Sequence, residues 1–506
     1  MALKNQPKTS ATKAKLEVEP PEKLTRWNLL IISTLLVALL ITGYLLYPKF
    51  ITVRKDHEPD KSIAVLPFVN MSNDPEQEYF SDGLSEEIIN ALVQIEGLKV
   101  IARTSSFQFK GRNEDLRKIG EALNVSTVLE GSVRRSADKV RITAQLIRTS
   151  DATHLWSKTF DRQTEDIFKI QDEIALAIAN EFKLATAEIK THNIYLGRNE
   201  EAYRLYQIGR SIYDRAGIEN TEIARKYFEQ TVQLDSTFAS AWSYLSTCWL
   251  NLDSLQLVDR YAQKALAIDP NEKDALVNQL YIHLFQGKFN EADKRLQNIL
   301  SLKSEHSRML RTAGRISSWF GRYRQGIELC KRAVELDPLQ VYAYYFLRDA
   351  YLANGQFREA EIASRTASEI TKQPTLIIRE LILNAKLDEA VSLINSITDK
   401  NYKNFWYTLF YHAKGQKIKS DEYLQKCKTE FKKLPYELAQ LHAFRNEINE
   451  AFHYLEMGIS KQNVFISVNT LGKFGGYAFL KADPFFIPLR EDVRFKELTR
   501  KLNFPE

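Results

Sequence analysis

Arg308, Arg311 and Arg315 stand at positions i, i+3 and i+7, a spacing that puts three guanidiniums on one face of a helix. Tyr281 precedes them in one neighbouring helical segment, and Tyr342 and Tyr345 follow in another. A guanidinium offers a planar fork of donors that pairs bidentately with a carboxylate, and it also sits well over phenol rings. The chemistry this set points to is capture of an acidic segment of a protein or peptide partner. A solvated basic face with tyrosines packed between helices accounts for the same residues, and residue types alone leave both readings open.

Bond-making chemistry finds fewer candidates. Cys248, Cys330 and Cys427 lie far apart with no C-x-x-C pairing, so they read as buried packing residues and signal neither zinc nor disulfides. Between residues 60 and 187 the polar candidates are Asp82, Gly83, Glu86, Glu87, Arg103, Glu130, Arg134, Arg135 and His154. No Walker A motif, no G-x-G-x-x-G and no paired-histidine metal spacing accompanies them. The expectation is no catalytic residue, no metal and no cofactor. Gly83 and Gly131 are expected to serve turns, and the charges to cap helices or line strands.

The elements that must position these residues begin with an anchor. Trp27–Tyr47 reads WNLLIISTLLVALLITGYLLY, without an ionisable charge, and as a helix it would be about 31 Å long, enough for a bilayer core. Trp27, Tyr44 and Tyr47 suit the interfacial belts and Pro48 ends the run. A cleaved signal peptide fits less well, since the apolar run is long and no A-x-A-like site follows. Lys and Arg are evenly split close to the span, but Lys4 and Lys8 tip the balance toward a cytoplasmic N-terminus. The expectation is a single-pass inner-membrane protein with its C-terminal domains extracytoplasmic. Residues 1–26 are a polar tail and 48–59 a linker. With 506 residues, 44% hydrophobic, the rest suffices for several cores. A net charge of +6 with interspersed signs gives no footprint for nucleic acid.

Residues 60–187 alternate strand and helix signals. Ser62–Phe68 is a short apolar run, Leu84, Ile88, Leu92 and Ile95 fall at helical spacing after Ser85 as a plausible N-cap, and Leu98–Ala102 returns as a strand. A helix over Asp115–Leu123, strands over Thr127–Leu129, Lys139–Ile147 and Thr153–Phe160, and a helix from Thr164 to about Phe182 complete β-α-β-α-β-β-β-α. That order predicts a compact α/β fold with strands in one layer and helices in the other. The blocks Ile63-Ala-Val-Leu-Pro-Phe68, Tyr79-Phe-Ser-Asp-Gly83, Val100-Ile-Ala-Arg-Thr-Ser105, Val128-Leu-Glu-Gly-Ser-Val-Arg134 and Arg141-Ile-Thr-Ala-Gln-Leu146 resemble the TolB N-terminal-like domain. The resemblance implies a bacterial protein of a family that combines this domain with tetratricopeptide repeats, often beside adenylate cyclase or helix-turn-helix modules. Neither of those modules falls within these residues, and cyclase chemistry needs paired metal-binding carboxylates in a further domain.

From residue 200 to about 460 the sequence repeats. Gly287, Gly321 and Gly355 are 34 residues apart, each followed two positions later by Phe289, Tyr323 or Phe357. Ala265-Leu-Ala-Ile-Asp-Pro270 and Ala333-Val-Glu-Leu-Asp-Pro338 are separated by twice that period. Each unit reads as two antiparallel helices, with Gly at the turn between them and Pro270 or Pro338 starting the next unit. The pattern resembles the tetratricopeptide repeat, which implies an α-solenoid whose first helices line a concave groove and bind protein or peptide partners. It predicts four regular units from about Ala239 to Lys372. An earlier unit is three residues longer in its turn, and later units recur at about 30 residues around Ala390, Gly415 and Ala451. Residues 461–506, rich in Pro and Phe around Asp483–Phe495, are expected to cap the final helices. The functional expectation is a membrane-anchored interaction scaffold, with a sensor or signalling subunit acting through a partner as the alternative.

Overall fold

Ile63 and Val65 alternate with Ala64 and Leu66, so β1 (Ser62–Val65) presents apolar side chains to both faces and is buried on both. In the computed structural model, which describes residues 61–72, 77–136, 139–163, 167–184, 199–214, 217–252, 254–431, 434–460 and 477–505, it is an interior strand of a sheet. The other strands are β2 (Val69–Asn70), β3 (Lys99–Val100), β4 (Thr127–Ser136), β5 (Lys139–Arg148) and β6 (His154–Gln163). Their order is β3-β1-β4-β5-β6, with β2 on β4. β1 runs parallel to β3 and β4, whereas β4, β5 and β6 form an antiparallel meander. The predicted tail, the span Trp27–Tyr47 and the linker lie outside the described residues. Among those described, no helix is long and apolar enough to cross a membrane.

The predicted element order holds, but the layering does not. Helices α1 (Glu78–Val93) and α3 (Ile167–Glu181) pack on the face carrying Ile63 and Val65. Helix α2 (Leu116–Leu123), capped by the Asp115 carboxylate, packs with Ile119 and Leu123 on the opposite face against Ala64 and Val128. The sheet is therefore covered on both sides. Ser85 is not a cap, because α1 starts at Glu78. Its hydroxyl donates to the Ser81 carbonyl at 2.9 Å and accepts from the Phe68 amide at 2.9 Å. Gly83 lies inside α1 and Gly131 inside β4, so neither forms a turn. Both allow close approach instead: a Cβ on Gly83 would stand 2.8 Å from the Tyr203 hydroxyl, and one on Gly131 would stand 2.5 Å from the Phe68 ring.

The repeat region folds as eight antiparallel helix pairs among the described residues: α4 (Glu200–Tyr213) with α5 (Ile218–Leu234), α6 (Ala239–Asn251) with α7 (Leu255–Ile268), α8 (Lys273–Phe285) with α9 (Phe289–Ser301), α10 (Ser307–Trp319) with α11 (Tyr323–Leu336), α12 (Val341–Ala353) with α13 (Phe357–Thr371), α14 (Ile378–Leu383) with α15 (Leu387–Asn395), α16 (Lys400–Ala413) with α17 (Lys417–Glu430), and α18 (Pro435–Phe444) with α19 (Ile448–Ser460). This is a tetratricopeptide-like superhelix. The four regular units run from Ala239 to Thr371, and Lys372 closes the last as a left-handed cap. Gly287, Gly321 and Gly355 sit at φ of 69°, 88° and 74° in the turns between paired helices, a region that costs a side chain about 1–2 kcal/mol. In the shorter units Gly415 takes the same conformation at φ 74°, and Ala385 and Asn446 do so where no glycine marks the turn. Pro270 and Pro338 follow the C-caps Asp269 and Asp337, between one unit and the next. The extra length of the first unit lies mainly in its second helix, 17 residues in α5 against 14 in α7.

The C-terminal segment covers more than the last helices. Tyr477 donates to the Leu455 carbonyl of α19 at 2.9 Å, but Phe504 packs against Phe289 at 4.7 Å between centroids, and Arg490 donates to the Ala353 carbonyl at 2.7 Å. Short turns around Pro484–Leu489 and a final helix, α20 (Val493–Lys501), thus join the last pair to the third through fifth pairs. The three cysteines are buried, and burial pushes the thiols of Cys248 and Cys427 up to about 12.

The Gly131→Ala variant is expected to lose about 1–3 kcal/mol of stability, because its methyl meets backbone and ring on a central strand. Urea denaturation of this variant against wild type measures the loss.

Candidate functional site: a chamber on the concave face

First helices of successive pairs stack side by side, and their exposed faces converge on one cavity of about 1620 Å³. α4 through α18 each contribute to it from the first helix of the pair. Further wall comes from α1, α3 and the Ala102–Thr104 stretch of the α/β fold, from ends of second helices such as Ile218 and Leu336, and from Phe479, Asp483 and Phe485 of the C-terminal segment. The groove is therefore a chamber with its cover and its floor supplied by the same chain.

A buried ion cluster holds the α/β fold in place. Arg103 and Arg210 both pair with Glu86, and Arg103 also pairs with Asp214 at the end of α4. Glu86 and Arg103 are both buried, and burial pushes the Arg103 guanidinium down. Alongside, Lys110 reaches Asp82 at 2.6 Å and Glu78 at 2.8 Å. A second contact is made across the groove, at the loop between α11 and α12. There the Ala102 amide donates to the Leu336 carbonyl at 2.7 Å, the Ser105 hydroxyl donates to Asp337 at 2.5 Å, and the Leu339 amide donates to that hydroxyl at 3.0 Å. Of the polar candidates in residues 60–187, Glu86, Glu87 and Arg103 thus gather at the repeats, while Asp82 pairs with Lys110 within the α/β fold. Glu130 and His154 lie on the strands β4 and β6, and Arg135 stands over the Phe80 ring.

The three arginines share the predicted face and line the chamber with Tyr281, Tyr342 and Tyr345, yet their surroundings differ. Arg308 pairs with Asp274 and donates to the Asn278 side chain at 2.8 Å, tying α10 to α8. Burial pushes the Asp274 carboxyl up, but Arg308, His306 and Arg210 outweigh it and hold it at about 2. Arg315 lies 3.9 Å from Asp349 on α12, with its guanidinium over Phe346 at 4.3 Å and Trp319 at 4.8 Å. Arg311 has no carboxylate of the described residues within 4.0 Å. It stands 5.4 Å from the Phe346 ring and 5.6 Å from Tyr342. Tyr281 stacks on Phe285, and Tyr342 meets Tyr345 edge-on at 5.9 Å.

Two further guanidiniums line the same end of the chamber and were not anticipated. Arg348 donates to Asp349 at 2.8 Å and lies 3.9 Å from Glu380, and Arg379 lies 3.4 Å from Glu380. Arg379 sits on a six-residue helix in a unit that departs from the 34-residue register, so spacing could not find it. The partners of Arg308 and Arg315 did carry a signal: Asp274 and Asp349 stand 34 residues before one and 34 after the other. Stacked first helices bring equivalent positions of adjacent units side by side, so an acid one period away from an arginine is a spatial neighbour.

Similarity to known proteins covers parts of this architecture. Residues 59–177 match the family model described as HilA/YgeH-like transcriptional regulator, second domain. Over 223 residues, 42% of this chain, the sequence is 40% identical to a protein of Rhizobium meliloti (strain 1021) named Putative adenylate cyclase 3. The chain spans only 38% of that protein's length. Among solved structures, the human IFIT1 dimer with PPP-AAAA superposes with a TM-score of 0.40 at 15% identity, over 77% of this chain and 95% of that one. PilF of Pseudomonas aeruginosa gives 0.28 at 16% identity, over 49% of this chain and 99% of its own. At these scores neither bears on ligand or partner.

Asp337, at the joint between the two folds, is pushed up to about 6 by burial, although Ser105 and Arg311 pull it down. A carboxyl raised in the folded state binds its proton more readily there than in the unfolded chain. Its contribution is present below about pH 4 and is lost as pH rises toward 6. Asp337→Asn should flatten the stability profile between those values, as urea midpoints measured from pH 4 to 7 will register.

Proposed function

We propose that this chain is a membrane-anchored, non-catalytic binding protein that takes its partner on the concave face of the repeats, with the α/β fold as a cover over it. The observation that supports this most is the ion cluster of Glu86, Arg103, Arg210 and Asp214, which holds the cover over the chamber through polar contacts. Interfaces of that kind between folds of one chain open more readily than apolar ones. The anchor is the apolar run Trp27–Tyr47, with the N-terminus in the cytoplasm and the remainder beyond the membrane. The partner chemistry is acidic, matched to the arginines. The TolB N-terminal-like resemblance of residues 60–187 fits the same reading, since such domains accompany repeats that bind other proteins. Arg210→Ala removes a counter-charge of Glu86 and is expected to loosen the cover. Spin labels at Glu96 and Glu222 should then report a broader distance distribution, and crosslinking in native membranes should recover more of the captured partner. An unchanged distribution together with unchanged capture would sink the proposal.

A second reading is a signalling subunit related to cyclases, and the 40% identity to Putative adenylate cyclase 3 favours it. In this reading the chain acts through another protein, since cyclase chemistry needs paired metal-binding carboxylates in a further catalytic domain. The purified chain is expected to form no cyclic nucleotide from ATP in a cyclase assay with Mg²⁺ or Mn²⁺. Turnover above the blank would replace both readings with an enzyme.

A further inference from the structure

The repeat register that neutralises two of the three arginines leaves the third unmatched. One period before Arg311 stands Val277 and one period after it stands Tyr345, so neither neighbouring first helix supplies a carboxylate. Arg311 is partly buried in the chamber wall, and burial pushes its guanidinium down with Arg308 adding repulsion, against the weaker pull of Tyr281 and of Asp337, which lies beyond ion-pair distance. One turn further along α10, Arg315 is 92% buried (8% exposed), and its Nε has no hydrogen-bond partner among the described residues. Asp349 at 3.9 Å is beyond hydrogen-bond reach of that atom. Both guanidiniums stand over the one Phe346 ring, at 5.4 and 4.3 Å, so the same aromatic surface fixes their relative position. A buried guanidinium with unused donors is costly unless an anion meets it.

We propose that Arg311 and Arg315 together bind the carboxylate of a small organic acid whose flat apolar body lies against Tyr342 and Tyr345. The inference rests on reading the concave face as a binding site, and it names the occupant. Planar guanidinium forks suit a planar carboxylate, and two of them one helical turn apart can share its oxygens. Asp349 next to Arg315 disfavours a second negative charge at the same point, which selects a singly charged acid. Phe479 and Phe485 line the same cavity as the two arginines and add apolar surface to it. Arg308, already saturated by Asp274 and Asn278, takes no part.

Isothermal titration of the full chain in detergent micelles tests this, with benzoate as the probe, benzyl alcohol as its neutral counterpart and inorganic phosphate as a non-planar anion. Saturable binding of benzoate is expected, with no binding of benzyl alcohol and much weaker binding of phosphate. Arg311→Gln should weaken benzoate by about tenfold or more, the scale of a lost charge-assisted hydrogen bond. Arg311→Lys keeps the charge but loses the fork and should fall between the two. Circular dichroism melts of both variants establish that they fold. Absence of saturable benzoate binding to the wild type overturns the inference, as does equal binding by Arg311→Gln or a preference for phosphate. Capture of an acidic protein without benzoate binding leaves the scaffold reading intact and ends this one. Benzoate binding without a captured partner does the reverse.

Discussion

Glu86 is a buried carboxylate flanked by two guanidiniums from different folds, Arg103 beside the sheet and Arg210 on the first repeat helix. Everything about the chamber depends on that arrangement. Removing water from a charge costs several kcal/mol, so each member of the cluster requires the others in place. A buried ion pair adds little net stability compared with apolar packing, but it is selective about geometry, because a displaced partner leaves an uncompensated charge. The cluster therefore fixes where the α/β fold sits on the superhelix. With the Ser105–Asp337 contact on the far side, it sets the cover across the groove from the first unit to the loop joining the fourth and fifth.

The superhelix is organised by a different principle. Each helix pair leaves apolar surface on its flanks that only the next pair covers, so the array is a continuous core with two ends that need closing. Here the C-terminal segment runs from the last pair back to the third through fifth, and Phe504, Phe486 and Tyr477 become part of a core shared with α8 through α11. Both ends of the described chain are thereby drawn to the concave face, one through ions and one through aromatic packing. That difference bears on motion. Apolar closure opens only with the core, while a polar joint can exchange its partners for water or for a ligand.

Within the chamber, charge follows the repeat. Where an arginine and an acid occupy equivalent positions of adjacent units, stacking brings them together, as with Arg308 and Asp274 or Arg315 and Asp349. Where the equivalent position holds Val277 or Tyr345, the arginine is left to the cavity. Arg311 differs from its neighbours on the same helix face for this reason alone.

Much of this was legible in the residues. The 34-residue spacing of Gly287, Gly321 and Gly355 dictated paired helices and their boundaries, because only a glycine takes the left-handed turn without strain. The alternation in β1 and the apolar periodicity of α1 likewise dictated the element order of the α/β fold. Local chemistry carries such features because turn, cap and amphipathic face are set within a few residues. It did not carry the role of Gly83 and Gly131, which serve close contacts with Tyr203 and Phe68 from distant segments. Nor did it carry the placement of α2 on the second face of the sheet, or the folding of both ends of the described chain onto the groove. Those depend on which surfaces meet across more than a hundred residues, and pairing energies of that kind exist only once the chain is folded. The arginine stripe shows the division most plainly. Its helical face was set by spacing, but which of its three charges remained unmatched was decided by the neighbours that stacking brought alongside.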